Sequence, residues 1–159
     1  MSREGIEIKA EKRKGQYLIN SYEHDSQGFS TEDAKIAQLM ANKRWEKIKK
    51  AVEIAPKYNL VSKGSKNLIV SWGSTKGTIM EAIEDLDFDF LQIKTVWPID
   101  REIEKIMGNY KKIVVVENNL TGQLTTVLKS QFNFNPDKLI LKADGRPFFP
   151  EEIINELSK

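Results

Sequence analysis

The chain has 159 residues, of which 40% are hydrophobic and 30% charged, a composition typical of an ordinary globular protein with one packed core. It contains no cysteine and one histidine, His24, which excludes disulfides, thiolate nucleophiles and cysteine-ligated zinc or iron–sulfur sites. The net charge of +2 is too small to predict nucleic-acid binding, and short apolar runs with a charged amino terminus predict a cytoplasmic protein without a membrane span.

Residues 1–29 are polar and are predicted to form an arm or linker, in which only residues 16–19 are strand-like. The arm contains the triplet Glu23-His24-Asp25, whose acidic side chains should raise the pKa of the histidine and favour its charged form. The triplet is therefore a candidate functional segment, although a simple polar turn accounts for it equally well. It is too small to form a metal site by itself.

Residues 30–56 have the pattern of a long amphipathic helix, with Ser30 as the predicted N-cap, Asp33 three residues further on and Pro56 as the stop. Its lysine-rich faces either bind nucleic acid or an acidic partner, or are simply solvated; the absence of interleaved aromatic residues favours solvation. We expect the apolar stripe to be buried against the following domain or another chain. The stripe consists of Ala41, Trp45, Ile48, Val52 and Ala55.

Residues 66–159 alternate between strand-like and helix-like segments. This alternation predicts an α/β domain with an open, mostly parallel sheet and helices on both faces. The continuous apolar run Ile113–Val116 is typical of a strand buried on both sides. The predicted strands are 68–72, 88–96, 112–117 and 138–141, and the predicted helices are 75–86, 99–108, 121–132 and 150–157.

In such sheets, functional loops follow the carboxyl ends of the strands. The first of these loops is Gly73-Ser74-Thr75-Lys76-Gly77, which has the glycines, hydroxyls and lysine of an anion site but not the spacing of a phosphate-binding P-loop. Alternatively, Ser74 or Thr75 caps the next helix and the glycines allow a tight turn. In the second loop, Trp97-Pro98 is predicted to be a rigid packing corner, and Trp72 is predicted to lie in the core.

The third loop runs from Glu117 through Asn118, Asn119 and Thr121 to Gly122. A carboxylate at a strand end is well placed to act as a general base. The alternative is that Glu117 accepts hydrogen bonds from the backbone or a lysine at the edge of the sheet. Because the sequence supplies no second catalytic group beside it, both interpretations remain open.

Several short motifs occur in an order and spacing that resemble the C-terminal part of the alpha subunit of 2-oxoacid:ferredoxin oxidoreductases. The resemblance covers almost the whole chain. The matching segments are Ser21-Tyr22-Glu23-His24-Asp25, Thr31-Glu32-Asp33 running into Lys43-Arg44 and Lys47, Ser71-Trp72-Gly73-Ser74-Thr75-Lys76-Gly77, Trp97-Pro98, Val116-Glu117-Asn118-Asn119, Thr121-Gly122-Gln123-Leu124 and Asp144-Gly145-Arg146-Pro147-Phe148.

The resemblance implies a transketolase C-terminal-like fold within an enzyme that oxidises a 2-oxoacid such as 2-oxoglutarate or pyruvate to acyl-coenzyme A, with electrons passing to ferredoxin. It also implies that this chain binds no cofactor alone. Thiamine diphosphate, magnesium and the iron–sulfur clusters are expected on the pyrimidine-binding alpha domain, the beta subunit or other partners, with ferredoxin and coenzyme A binding at the level of the complex. The chain is then either a naturally split subunit or one domain of a longer chain.

Three functional hypotheses follow. The leading one is an assembly role without catalytic residues, in which the arm around Glu23-His24-Asp25 lies near the substrate-facing side and the isolated chain is inactive. The second is a module that binds a small anion or the phosphate portion of coenzyme A through loops 73–77 and 117–122. The third is a stand-alone hydrolase or transferase, and it depends on Glu117 and His24 alone.

Overall fold

The computed structural model describes residues 20–159, and the chain divides into two units between Ile54 and Ala55. In the first unit, strands β1 (Glu23–His24) and β2 (Ser30–Thr31) pair antiparallel, and helix α1 (Ala34–Ile54) follows. The predicted arm therefore contains a short hairpin. Its strand-like piece at 16–19 lies outside the described residues.

The start of α1 differs from the prediction. The Asp33 carboxylate accepts hydrogen bonds from the backbone nitrogens of Lys35 (2.8 Å) and Ile36 (3.0 Å), so that Asp33 caps the helix. The prediction that Ser30 is the cap was wrong, because Ser30 pairs with His24 in the hairpin and leaves the helix to begin four residues later.

The second unit holds a five-stranded sheet in the order β3-β5-β4-β6-β7, in which β3 is antiparallel to its neighbour and the other pairs are parallel. This arrangement confirms the predicted mostly parallel α/β fold. The strands are β3 (Tyr58–Val61), β4 (Asn67–Trp72), β5 (Asp89–Ile93), β6 (Lys112–Glu117) and β7 (Lys138–Leu141). The helices are α2 (Lys76–Ala82), α3 (Glu102–Met107), α4 (Gln123–Phe132) and α5 (Pro150–Leu157), and a 3₁₀ turn (Gly73–Thr75) precedes α2.

Successive side chains of the central strands point to opposite faces of the sheet, so that alternate residues pack in two apolar layers. Leu68 and Val115 pack on one face with Leu124 of α4, in a layer that also includes residues of α3. Ile69 and Val114 pack on the other face, with residues of α2 and α5. Helices therefore cover both faces of the sheet, as predicted.

Several boundaries differ from the sequence pattern. The strand predicted to reach residue 96 ends at Ile93, because the backbone nitrogens of Lys94 and Thr95 both donate to the Lys57 carbonyl, at 3.0 and 3.2 Å. Strand β3 was not predicted at all. Within residues 20–159, no helix combines the length and the apolar character needed to cross a membrane.

The strand order also determines where a site is expected. From β4 the chain crosses over to β5 on one side, whereas β6 lies on the other side of β4. The crossover connections therefore diverge between β4 and β6. In open α/β sheets, the crevice beyond the carboxyl ends of such a strand pair is the usual ligand site.

Candidate functional site

The loops that follow β4 and β6 meet at this divergence and enclose a cavity of about 320 Å³. The structure thus brings together two loops that the sequence singled out separately. None of the described residues that line the cavity is charged, so it offers dipoles and one aromatic ring to a ligand. These lining residues are Trp72, Gly73, Ser74, Thr75, Asn118, Asn119 and Gln123.

The β4 loop is held by hydroxyl groups that bond inside the fold. The hydroxyls of Ser71 and Thr75 lie 2.5 Å apart; Ser71 Oγ is also 2.6 Å from the Val116 carbonyl, and Thr75 Oγ1 is 3.0 Å from the Trp72 carbonyl. Two hydroxyl protons are shared among these three contacts, so both are used within the fold. Buried Thr75 therefore stabilises the turn.

The helix that follows this loop has no side-chain cap among the residues that the structure describes, so the prediction that Ser74 or Thr75 caps it was wrong. Thr75 instead contacts Ser71 and the Trp72 carbonyl, while Ser74 is exposed. The tight turn is confirmed, because Gly73 has a φ of +66°, a conformation that costs glycine little. Lys76 is exposed and does not line the cavity.

The carboxylate of Glu117 is completely buried at the end of β6. It accepts four hydrogen bonds: from Asn119 Nδ2 (2.8 Å), from the backbone nitrogens of Leu124 (2.7 Å) and Thr125 (2.9 Å), and from Thr125 Oγ1 (2.9 Å). Together these donors fill the acceptor capacity of the carboxylate, and the three from Leu124 and Thr125 lie at the amino-terminal turn of α4. The structure thus gives Glu117 the role of a hydrogen-bond acceptor that joins strand to helix.

Asn119 organises the rest of the β6 loop. Its Oδ1 atom accepts hydrogen bonds from the backbone nitrogens of Thr121 (3.1 Å), Gly122 (2.8 Å) and Gln123 (3.3 Å). Asn118 donates from Nδ2 to the Lys142 carbonyl at 3.0 Å. Much of the polar character that made this loop a candidate site therefore serves its own folding, which the sequence pattern did not distinguish from ligand binding.

The triplet Glu23-His24-Asp25 belongs to the first unit, and its members have different contacts. The Glu23 carboxylate binds the Arg44 guanidinium at 2.5 and 2.9 Å, and this hydrogen bonding holds the pKa of Glu23 below its usual value. Asp25 accepts the backbone nitrogens of Gln27 and Phe29, both at 2.9 Å. The Nε2 atom of His24 is buried and has no hydrogen-bond partner among the described residues.

The two tryptophans of the second unit differ in outcome. Trp72 is partly buried: it packs against the core, as predicted, but it also lines the candidate cavity. Trp97, which precedes Pro98 through a cis peptide bond, is 62% exposed. The prediction of a packing corner was therefore wrong for its indole ring.

Sequence reasoning missed a groove of about 730 Å³ between edge strand β7 and helix α5. At one end of it, the Lys142 side chain is only 9% exposed; its ammonium group lies 2.7 Å from both carboxylate oxygens of Glu152 and 3.0 Å from the Pro147 carbonyl. It also lies 5.7 Å from the ring centroid of Phe148. The sequence motif at 144–148 pointed to this region, but Lys142, which contacts Pro147 and Phe148, lies outside that motif.

No family model matches the chain. It is 32% identical to the alpha subunit of 2-oxoacid:ferredoxin oxidoreductase 2 from Aeropyrum pernix over 98% of this chain and 26% of that protein. It is also 33% identical to the alpha subunit of the Saccharolobus solfataricus 2-oxoacid:ferredoxin oxidoreductase over 82% of this chain and 22% of that one. The chain thus spans about a quarter of the length of these relatives.

A solved structure shares the fold. The 2-oxoglutarate:ferredoxin oxidoreductase from Magnetococcus marinus, solved with 2-oxoglutarate, coenzyme A and succinyl-CoA bound, matches 92% of this chain and 27% of its own, with a TM-score of 0.70 and 24% identity. The sequence relatives confirm the resemblance inferred from the motifs.

Proposed function

This chain is homologous along nearly its whole length to alpha subunits of 2-oxoacid:ferredoxin oxidoreductases, and from that premise we propose that it contributes one non-catalytic assembly domain to such an enzyme. The enzyme would oxidise a 2-oxoacid to an acyl-coenzyme A and pass the electrons to ferredoxin. The observation that carries the proposal is the alignment of 98% of this chain with only 26% of its relative. Most of the catalytic machinery would then lie on other domains.

The internal bonding of the strand-end loops supports a structural role. Glu117 is fully buried and bonded four times, and the hydroxyl of Thr75 is used within the turn. A general base needs a lone pair directed at substrate, and Glu117 has none to spare. The stand-alone hydrolase hypothesis loses its main residue for this reason.

Two observations support placing the metal and cluster cofactors of such an enzyme on partners of this chain. With no cysteine, the chain has no thiolate for an iron–sulfur cluster. Within residues 20–159, no group of three or more carboxylate or imidazole side chains is arranged to hold a metal ion. We propose that thiamine diphosphate, magnesium and the clusters are held by the pyrimidine-binding alpha domain, the beta subunit or other partners, with ferredoxin and coenzyme A as partners of the whole complex. We also propose a cytoplasmic location for that complex.

The test is reconstitution. The polypeptides carrying the pyrimidine-binding domain and the beta subunit from the same genome would be co-expressed with and without this chain. Size-exclusion chromatography would report assembly, and ferredoxin reduction with 2-oxoglutarate or pyruvate would report activity. We expect assembly and activity only when the chain is present, and no turnover by the chain alone. An enzyme that assembled and worked without the chain would overturn the proposal.

The cavity between the β4 and β6 loops favours a second candidate function, a module for a small anion or the phosphate portion of coenzyme A. Its position at the divergence of the crossovers and the exposed Ser74 at its rim support this candidate. Isothermal titration with phosphate, coenzyme A and 2-oxoglutarate tests it directly. Binding that is weakened by Ser74→Ala would support the module, and the absence of heat with all three compounds would eliminate it.

A further inference from the structure

Helix α1 carries a stripe with a regular repeat that is apolar at five of its six positions. The stripe positions follow one another at alternating steps of four and three residues, which is the 3.5-residue period of helices that pack on a partner helix. We call these positions the α1 seam. They are Ala34, Gln38, Ala41, Trp45, Ile48 and Val52.

The α1 seam is exposed within the described part of its own unit, residues 20–54. There, no residue of α1 is buried; Trp45 is 52% exposed and Ile48 is 40% exposed. A tryptophan and an isoleucine one turn apart form a large apolar patch, and tryptophan is among the residues that contribute most to binding energy in protein interfaces. The seam therefore has the features of a docking surface.

Basic side chains border the seam on both sides. On a helical wheel, Lys35 and Lys49 flank it on one side and Arg44 flanks it on the other. The helix as a whole has six basic side chains against two acidic ones: Lys35, Lys43, Arg44, Lys47, Lys49 and Lys50 against Glu46 and Glu53. Arg44 is already bound by Glu23 of the hairpin, and Lys49 pairs with Glu46 at 2.7 Å within the same helix.

This charge pattern argues against a second copy as the occupant. Two α1 helices packed seam to seam would bring Arg44 opposite Lys49 when parallel, or lysine flanks opposite each other when antiparallel, and like charges across such a seam are destabilising. A lipid surface fits less well, because only three seam positions carry large apolar side chains while the others are Ala or Gln. A neighbouring helix can approach such small residues closely.

We propose that the α1 seam docks a helix of another polypeptide whose apolar stripe is bordered by aspartate and glutamate. The proposal rests on the proposed function only for the identity of that polypeptide, a partner domain or subunit of the oxidoreductase. The recognition itself depends on the seam and on its basic borders. Trp45 is the central contact, and Lys35 and Lys49 select the charge of the partner.

The experiment uses the full 159-residue chain and a pair of synthetic three-heptad peptides. Both peptides carry leucine at the seam positions, but one has glutamate and the other lysine at the bordering positions. Calorimetry would measure affinity, and the indole N–H resonance of Trp45, assigned with Trp45→Phe, would locate the contact. We expect the glutamate peptide to bind about tenfold or more tightly than the lysine peptide and to shift the Trp45 resonance.

Two variants make the test specific. The double variant Lys35→Glu/Lys49→Glu should reverse the preference between the peptides, and Trp45→Ala should abolish binding while circular dichroism shows an unchanged fold. Four outcomes would each overturn the proposal. Both peptides could bind equally well, the free chain could form concentration-dependent dimers, or the chain could bind phosphatidylserine vesicles. The fourth is a Trp45 indole that is already protected from exchange in the free chain. If the chain binds the peptide but is not needed for enzyme assembly, the docking surface is supported and only the proposed function is wrong.

Discussion

Thr125 donates two hydrogen bonds to the Glu117 carboxylate, one from its backbone nitrogen and one from its hydroxyl, both at 2.9 Å. The second carboxylate oxygen accepts the backbone nitrogen of Leu124 at 2.7 Å. A buried carboxyl group is tolerated only when such donors satisfy its oxygens. The end of β6 and the start of α4 are therefore connected by one side chain, at the edge of the sheet where the candidate cavity lies.

Replacing Glu117 by glutamine tests this connection. The amide would turn an NH₂ group towards backbone nitrogens that need an acceptor, so we expect Glu117→Gln to lower the free energy of unfolding by about 2–4 kcal/mol. Urea denaturation followed by circular dichroism measures the change. Glu81→Gln, at an exposed position of α2, is the control and should change stability by less than about 0.5 kcal/mol. A fully stable Glu117→Gln would mean that the carboxylate is retained for chemistry.

A second buried carboxylate, Asp89, gives the fold a pH dependence. It accepts hydrogen bonds from Ser62 Oγ (2.6 Å), the backbone nitrogens of Lys63 (2.7 Å) and Ser65 (3.2 Å), and the hydroxyl of Tyr110 (2.8 Å). Burial by itself raises the pKa of Asp89, but these hydrogen bonds outweigh it, and the pKa lies below its ordinary value. Burial, together with the Asp89 carboxylate, raises the pKa of Tyr110 to about 12.

We expect Asp89→Asn to lower the free energy of unfolding by about 2 kcal/mol at pH 7. Because the pKa of Asp89 is lowered in the folded state, its contribution is present above the unfolded value near pH 4 and is lost as the pH falls through the folded value. The stability curves of wild type and variant should therefore converge in acid. Urea titrations from neutral pH down to acid measure this convergence, and Tyr110→Phe, which removes one donor and keeps the carboxylate, should cost less than Asp89→Asn. Parallel curves at all pH values would contradict the assignment.

Two neighbouring parts of β6 show what could and what could not be predicted from the sequence. The run Ile113–Val116 has one interpretation, a strand buried on both sides, and the structure agrees. Glu117, one residue later, has two interpretations. A carboxylate at a strand end can accept hydrogen bonds from the backbone or take a proton as a general base. Local pattern does not give the positions of Leu124 and Thr125, seven and eight residues away, which decide between them.

The unpredicted edge strand β3 has a similar cause. Its sequence Tyr58–Val61 is short and lacks clear alternation, and it becomes a strand because it pairs antiparallel with β5, from Tyr58 opposite Ile93 to Val61 opposite Phe90. Pairing over such a sequence distance is a property of the tertiary structure. The prediction that Ser30 caps α1 was wrong for the same reason, because Ser30 pairs with His24 in the hairpin.

The ion pair between Glu23 and Arg44 ties the hairpin to α1 and should depend on pH. Hydrogen bonding to Arg44 holds the pKa of Glu23 low, so the tie is present above the ordinary glutamate pKa and is lost as the pH falls through the lowered value. We expect Glu23→Gln to speed hydrogen exchange a few-fold at the Asp25 amide, which donates to the Phe29 carbonyl.

The measurement is the ratio of exchange rates in variant and wild type, which removes the intrinsic effect of pH on exchange. That ratio should approach unity in acid. The control is Glu32→Gln, which changes an exposed acid in the same unit. An equal acceleration in the control, or a ratio that does not change with pH, would show that the ion pair does not hold the hairpin.

Two glycines of the second unit give a matched pair of opposite predictions. Gly122 has a φ of +65°, and a Cβ atom there would lie 3.2 Å from Leu139 Cδ2. Gly122→Ala should therefore destabilise the chain by about 1–2 kcal/mol. Gly77 lies inside α2, where a Cβ atom would meet no described residue within 4 Å, so Gly77→Ala should stabilise by about 0.5–1 kcal/mol. Urea midpoints at neutral pH measure both changes. Because Gly122 also positions the loop that holds Glu117, Gly122→Ala should weaken any ligand binding in the neighbouring cavity, whereas Gly77→Ala should leave that binding unchanged. If both substitutions destabilised the chain, or neither did, the backbone geometry described at these two positions would be contradicted.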